Sequence, residues 1–390
     1  MIINLQPLIR FCFLATLFLY PFCFFNHNLF LIPQLGFVTA VIMQRVFRQE
    51  IMRVTPLSAL IILLTLLVCI TPLFIKQLHE GAESFLFPIK LTLNFLTVSV
   101  VMLCGQDLIN EKDIKTLKSF RNTYLLICLL TYFFIASYEQ IGITLLSFIK
   151  NPNSSRLYSL ADPLNSVFIT KNITAMYMIS LFAYDLFLSS FFHKKFLARD
   201  WLLYGFFILL FFSRQSLLAY IVLGIVYYFF YANNLKKIIG FVASAVIGLL
   251  FFWTLFDLSS KHDGANQRID LYNLFFEQAE NFFFFGMGLD GMEKTIRAAG
   301  IDIDNYHLFF MNQMGIYGFF HMFAFNLLLI LILFYIPQNY RKYSVFLMIA
   351  YWSNVMFQTF GYEFQNLWLF MIMVSIKKAV SFPPLCINRT

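Results

Sequence analysis

Apolar runs recur along the whole chain at lengths close to the ~20 residues an α-helix needs to cross a hydrocarbon core, and most of the polar gaps between them are short. No other feature constrains the fold as strongly. In lipid every backbone N–H and C=O has to be paired within the chain, which leaves helices or a closed barrel. Barrel spans would read as short alternating segments, whereas these runs are continuous and hold most of the 52 phenylalanines. Only 12% of the residues are charged, about half the ~25% of a soluble domain, and 60% are hydrophobic. The pattern predicts an all-α polytopic membrane bundle of about 12 transmembrane helices, a single domain over residues 1–390. The expected spans are 11–25, 28–44, 54–75, 85–105, 122–148, 172–192, 200–212, 215–231, 238–256, 306–335, 344–357 and 363–376. The stretch 200–231 could be one long helix, but two spans keep every later basic cluster on one side.

The net charge of +8 is not a nucleic-acid footprint, because the basic residues stand in short clusters between apolar runs. With the N-terminus in the cytoplasm, 18 of the 28 Lys and Arg fall inside. They are Arg10; Arg45, Arg48 and Arg53; Lys112, Lys115, Lys118 and Arg121; Lys194, Lys195 and Arg199; Lys236 and Lys237; Arg341 and Lys342; Lys377, Lys378 and Arg389. Lys and Arg resist translocation, so this alternation predicts both termini cytoplasmic. The first apolar run lacks a small-residue cleavage pattern and is expected to be retained. Cys12, Cys23, Cys69, Cys104 and Cys128 fall in or at the edges of spans and Cys386 lies in the tail, none with metal or disulfide-framework spacing. No histidine pair or carboxylate pair has ligand spacing either. Neither a metal nor a cofactor is expected.

Two outward loops, 149–171 and 257–305, exceed the usual dozen residues and so attract a functional reading. Arg214 stands in Phe211-Phe212-Ser213-Arg214-Gln215-Ser216 with no other charge near it. Such an Arg either snorkels from a tight outward turn or presents its planar fork to an anion, most naturally a phosphate. Arg268, close to Asp270, opens a segment (266–276) whose apolar spacing predicts a helix at the interface; it belongs to a solvated face or forms a second fork beside Arg214. Gly286-Met287-Gly288-Leu289-Asp290-Gly291 then reads as a flexible turn. His307 opens the tenth span, as a cap or as a general base with a pKa near neutrality. Arg156, in the first long loop, is a further anion contact or merely solvated.

A Ser-Arg turn between two central spans, a long outer loop from Gln267-Arg268 to Gly286-Met287-Gly288, and a His followed by Met314-Gly315-Ile316-Tyr317-Gly318-Phe319-Phe320 resemble the O-antigen polymerase and O-antigen ligase superfamily. The resemblance covers 150–335 by motif and the whole chain by span count. It implies a bacterial inner-membrane glycosyltransferase, metal-independent and inverting, acting at the periplasmic face. Arg214 and Arg268 would hold the pyrophosphate of an undecaprenyl-pyrophosphate-linked glycan donor, and His307 would take the acceptor proton. The acceptor would be another lipid-linked repeat for a polymerase or lipid A–core for a ligase; the compact second loop favours the polymerase. Family members commonly carry Asn after the His, and here Leu308 follows, so Asn305, Tyr306 and Asn312 are the expected substrate-side partners. The rival class, a flippase for lipid-linked sugars, would show charges buried at mid-bilayer and repeat symmetry.

Overall fold

The computed structural model describes residues 4–22, 26, 29–48, 51–52, 56–79, 90, 92–97, 99–100, 109–150, 155–231, 265–301, 305–306, 308–334, 338–356, 361 and 386–387. They form α1 (Gln6–Leu19), α2 (Leu31–Phe47), α3 (Pro56–His79), α4 (Asp113–Ile135), α5 (Tyr138–Lys150), α6 (Lys171–Phe191), α7 (Ala198–Leu210), α8 (Arg214–Tyr231), α9 (Ala265–Glu277), α10 (Ala279–Phe282), α11 (Gly288–Ala298), α12 (Phe309–Phe334), α13 (Gln338–Arg341) and α14 (Ser344–Val355), with a 3-10 helix at Ser155–Ser166. Residues 92–97 and 99–100 are also helical, and Ile51–Met52 pairs antiparallel with Cys386–Ile387. Lys171–Phe191 and Phe309–Leu331 are long and apolar enough to cross a membrane, and Asp113–Ile135 with Tyr138–Ser147 makes a third if that bent pair is one span. Shorter apolar helices lie at Gln6–Leu19, Leu31–Phe47, Ala59–Ile75, Gln215–Tyr231 and Ser344–Val355. The expected spans 238–256 and 363–376, and most of 85–105, lie outside the described residues.

α6 is the axis of the bundle. Thr170, extended at φ −156°, accepts the Ile173 N–H on its hydroxyl (3.1 Å) and starts the helix as a conventional cap. From Thr174 to Phe191 every side chain is buried, and α4, α7, α8 and α14 pack around it. Its observed bounds differ from the expected 172–192 by one residue at each end.

Three boundaries differ from the hydropathy reading for local reasons. Pro7 in the first turn lets α1 begin at Gln6, and the helix ends where Phe22 bridges Phe168. The continuous span 122–148 is two helices bent by 98°. Ala136 is extended (ψ 136°), and Ser137 restarts the helix by receiving the Gln140 N–H on its hydroxyl, the Ser-x-x-Gln start signal that an apolar run conceals. Finally, 288–291 is the first turn of α11, so the expected flexible turn shrinks to Gly286-Met287. The helix expected over 266–276 is α9, and 200–231 does divide: Phe212 turns left-handed (φ 49°) between α7 and α8.

Among the described helices, α1, α2, α4, α6 and α7 run alternately between two ends. At one end Arg10 pairs with Asp113, Lys194 with Glu111 (2.7 Å), and Asp200 with both Lys118 (2.6 Å) and Arg121 (2.9 Å). Gln44 at the close of α2 donates to Gln6 there (3.3 Å). At the other end Ile169 N–H donates to Pro21 O (2.9 Å), and Phe168 meets the Phe211 ring edge-on at 6.0 Å. The exposed faces are largely apolar, unlike those of a helix of a soluble domain, and a few polar side chains are buried among the apolar core. On α2, Gln34 and Gln44 are buried while Ile32, Leu35, Ile42, Met43 and Val46 are exposed. The buried amide of Gln34 donates to Asn94 (2.9 Å) and Thr97 (3.1 Å), and Thr65 bonds Ser99 (2.6 Å). α3, α4 and α7 likewise carry exposed apolar residues, among them Ile70, Phe133, Phe134 and Leu202.

Candidate functional site

The heads of α8 and α12 and the Phe275 end of α9 meet at the end of the bundle opposite the Asp200 ion pairs. Arg214 is the first residue of α8. Ser213 stands before it as cap: its hydroxyl receives the Ser216 N–H (3.4 Å) and bonds the Ser216 hydroxyl (3.1 Å). Gln215 fixes the turn from outside, donating through Nε2 to Ser353 O (2.5 Å) and Asn354 O (3.3 Å), two carbonyls at the C-terminus of α14. Those carbonyls belong to the last turn of a helix, where backbone acceptors lack intrahelical partners. Asn354 in turn donates to Met176 O (3.4 Å) and Ser180 Oγ (3.0 Å) on α6. Tyr132 of α4 donates to Leu210 O (2.9 Å), holding the approach to the turn.

The head of α12 reaches the same place. Phe310 packs on Trp352 with ring centroids 5.0 Å apart, so residue 310 and residue 215 both dock on the last turn of α14. α9 closes the third side: Phe275, about two helical turns (~10 Å) beyond Arg268, meets the Tyr306 ring edge-on at 5.2 Å. Tyr306 is fully buried. Gly315 makes room for it, since a Cβ there would stand 3.2 Å from Tyr306 Cε2. The Tyr306 N–H donates to Asn312 Oδ1 (3.3 Å), so buried Asn312 ties the residues before α12 to its first turn. Asn305 is half-buried beside them.

His307 itself lies outside the described residues. Arg214, Arg268 and Arg156 are described in backbone alone, Arg156 as the second residue of the 3-10 helix. That helix belongs to the same end, through the Asp162–Lys171 ion pair and the Lys171 N–H donated to Asn165 Oδ1 (2.8 Å). Asp270 is exposed on α9. Sequence reasoning passed over Gln215, Asn354 and Trp352; an amide directly beside an isolated Arg is the signal that could have flagged Gln215. Among the described residues no three His, Cys, Asp or Glu gather as metal ligands. No family model matches the chain, and no curated protein matches it.

Proposed function

We propose that this chain is a polytopic inner-membrane glycosyltransferase of the O-antigen polymerase type. In this reading it lengthens glycans at the periplasmic face from an undecaprenyl-pyrophosphate-linked donor. The observation that carries the reading is the convergence of the heads of α8 and α12 on one turn of α14, with α9 packed against Tyr306. The topology is supported by the ion pairs. Residues that charge alternation assigns to the cytoplasm (Arg10, Glu111, Asp113, Lys118, Arg121, Lys194 and Asp200) touch one another, and the pairing of 51–52 with 386–387 joins two more segments assigned to that side. Polar residues turned inward and apolar residues turned outward suit a lipid environment.

Arg214 supports an anionic ligand for a further reason. A cation at a helix N-terminus is disfavoured by the helix dipole, so its position is not explained by helix stability. With a phosphate present the helix N–H groups and the guanidinium act together. Arg214 and Arg268 hold the donor diphosphate. His307 takes the proton from the acceptor hydroxyl as that oxygen attacks the anomeric carbon opposite the leaving group. The bond from carbon to phosphate oxygen breaks, and its electron pair departs on the lipid diphosphate, where the two cations stabilise the growing charge. Arg156 contributes from the 3-10 helix.

The test is the lipopolysaccharide ladder of a deletion strain complemented with variants. Arg214→Ala, Arg268→Ala and His307→Ala should each abolish long-chain glycan with the protein still in the membrane, and Arg156→Ala should shorten it. A single repeat on core in the deletion strain fits the polymerase; bare core with accumulated lipid-linked polymer makes the protein a ligase instead. Full activity of His307→Ala removes it as the base.

A further inference from the structure

Four consecutive phenylalanines, Phe282–Phe285, run on from the last residue of α10, Phe282. The first is buried under Phe275 at 5.0 Å, and the other three are exposed. Directly opposite, α12 is interrupted at Gly318, whose φ of 83° and ψ of 176° are not helical. The two irregular segments clasp each other: Met287 N–H donates to Gly315 O (2.9 Å) and Phe319 N–H donates to Phe283 O (2.6 Å). Gly286 and Gly318 make the approach possible. A Cβ on Gly286 would lie 2.2 Å from Ile316 O, and one on Gly318 would lie 2.2 Å from Phe284 O. Outside the clasp the rings form a continuous wall. Phe283 stacks on Phe319 at 5.2 Å and 8°, Phe284 on Phe320 at 5.6 Å, and Phe319 on Phe323 at 5.9 Å. Phe284, Phe285, Phe320 and Phe323 are each more than half exposed. Residues 282–288 carry no charge, and 315–323 contain no Asp, Glu, Lys or Arg.

We infer that acyl chains of the bilayer cover this wall, so that the connection from α9 to α12 dips into the membrane at residues 283–287 instead of running through water. The wall is continuous with the surface of α12, one of the helices long and apolar enough to cross. The clasp satisfies backbone groups that a loop would normally leave to solvent, which is the condition for irregular backbone at membrane depth. The exposed rings are all Phe. Tyr and Trp, with one polar tip, are the residues favoured at the headgroup level, whereas a ring without a polar atom belongs among acyl chains. An aqueous loop would expose a contiguous aromatic patch with nothing gained. The inference rests on the membrane reading and is independent of the glycosyltransferase reading. It gives α9, which carries Arg268, a lipid-side anchor through Phe275 and Phe282.

The experiment uses the full chain reconstituted in phosphatidylethanolamine–phosphatidylglycerol vesicles, with p-benzoylphenylalanine in place of Phe284, of Phe320, or of the exposed Arg297 of α11. After irradiation, the first two should gain a phospholipid mass and the third should not. Chain-to-chain adducts at 284 and 320 would assign the wall to a second copy and overturn the inference, as would lipid adducts no more frequent there than at 297. Independently, Phe284→Trp should add fluorescence that brominated acyl chains quench; added emission quenched by aqueous iodide alone refutes membrane burial. Loss of the glycan phenotype prediction leaves both readouts unchanged.

Discussion

Replacing Gly318 by alanine tests the clasp with a built-in control. An alanine at φ 83°, ψ 176° occupies a region that is essentially glycine-only and costs about 1–3 kcal/mol in backbone strain. The new Cβ would also lie 2.2 Å from the Phe284 carbonyl oxygen and 2.4 Å from its carbon. Both are backbone atoms, so no side chain can swing aside, and the two segments must part by most of an ångström. That separation breaks the bond from Phe319 N–H to Phe283 O, and leaving a buried backbone group unpaired costs about 1–3 kcal/mol more. The expected total is about 2–6 kcal/mol. Gly300 supplies the control: its φ is 75° too, yet a Cβ there meets nothing within 4 Å. Gly300→Ala should therefore cost only the left-handed strain, about 1–2 kcal/mol. Thermal unfolding of the purified protein in one detergent, followed by near-UV circular dichroism, should give Gly318→Ala a clearly lower midpoint than Gly300→Ala. Equal midpoints for the two would refute the clasp.

The buried ion pairs give a second stability test. Asp200→Asn leaves Arg121, itself buried, without its carboxylate, which should destabilise by about 3–5 kcal/mol; the double variant with Arg121→Gln should be less affected, and a strictly additive pair would count against the network. By contrast Glu111→Gln breaks an exposed pair with Lys194 and should shift stability by less than about 1 kcal/mol. At the site, Gln215→Leu removes the donor to the α14 carbonyls and should cut long-chain glycan several-fold with the protein still in the membrane; an unchanged ladder would mean that the Arg214 turn needs no such support.

Much of the helix inventory was written in the local sequence. The run 172–192 is buried on every side, so its apolar composition alone gave α6 to within a residue at each end. The apolar spacing of 266–276 likewise announced α9, because periodicity acts between near neighbours. The Ser137 restart and the Pro7 start were legible too, but hydropathy averages over them. Hydropathy sums along the chain, so it cannot register a bend that changes no residue's polarity, and the 98° turn after α4 was missed for that reason.

What the tertiary structure alone decided are the meetings between distant segments. Gly286 and Gly318 look like ordinary glycines until each is seen against the segment that carries the other, whose backbone occupies the space a Cβ would fill. Asn312 and Tyr306 read as possible substrate contacts, yet both are buried, and one bonds the other's N–H. Gln215 gained its role from carbonyls more than a hundred residues away. Charge alternation and apolar length are properties of single segments measured against lipid and water, and these the sequence determined by itself. Which helix ends share a corner depends on packing between segments, and no local pattern encodes that.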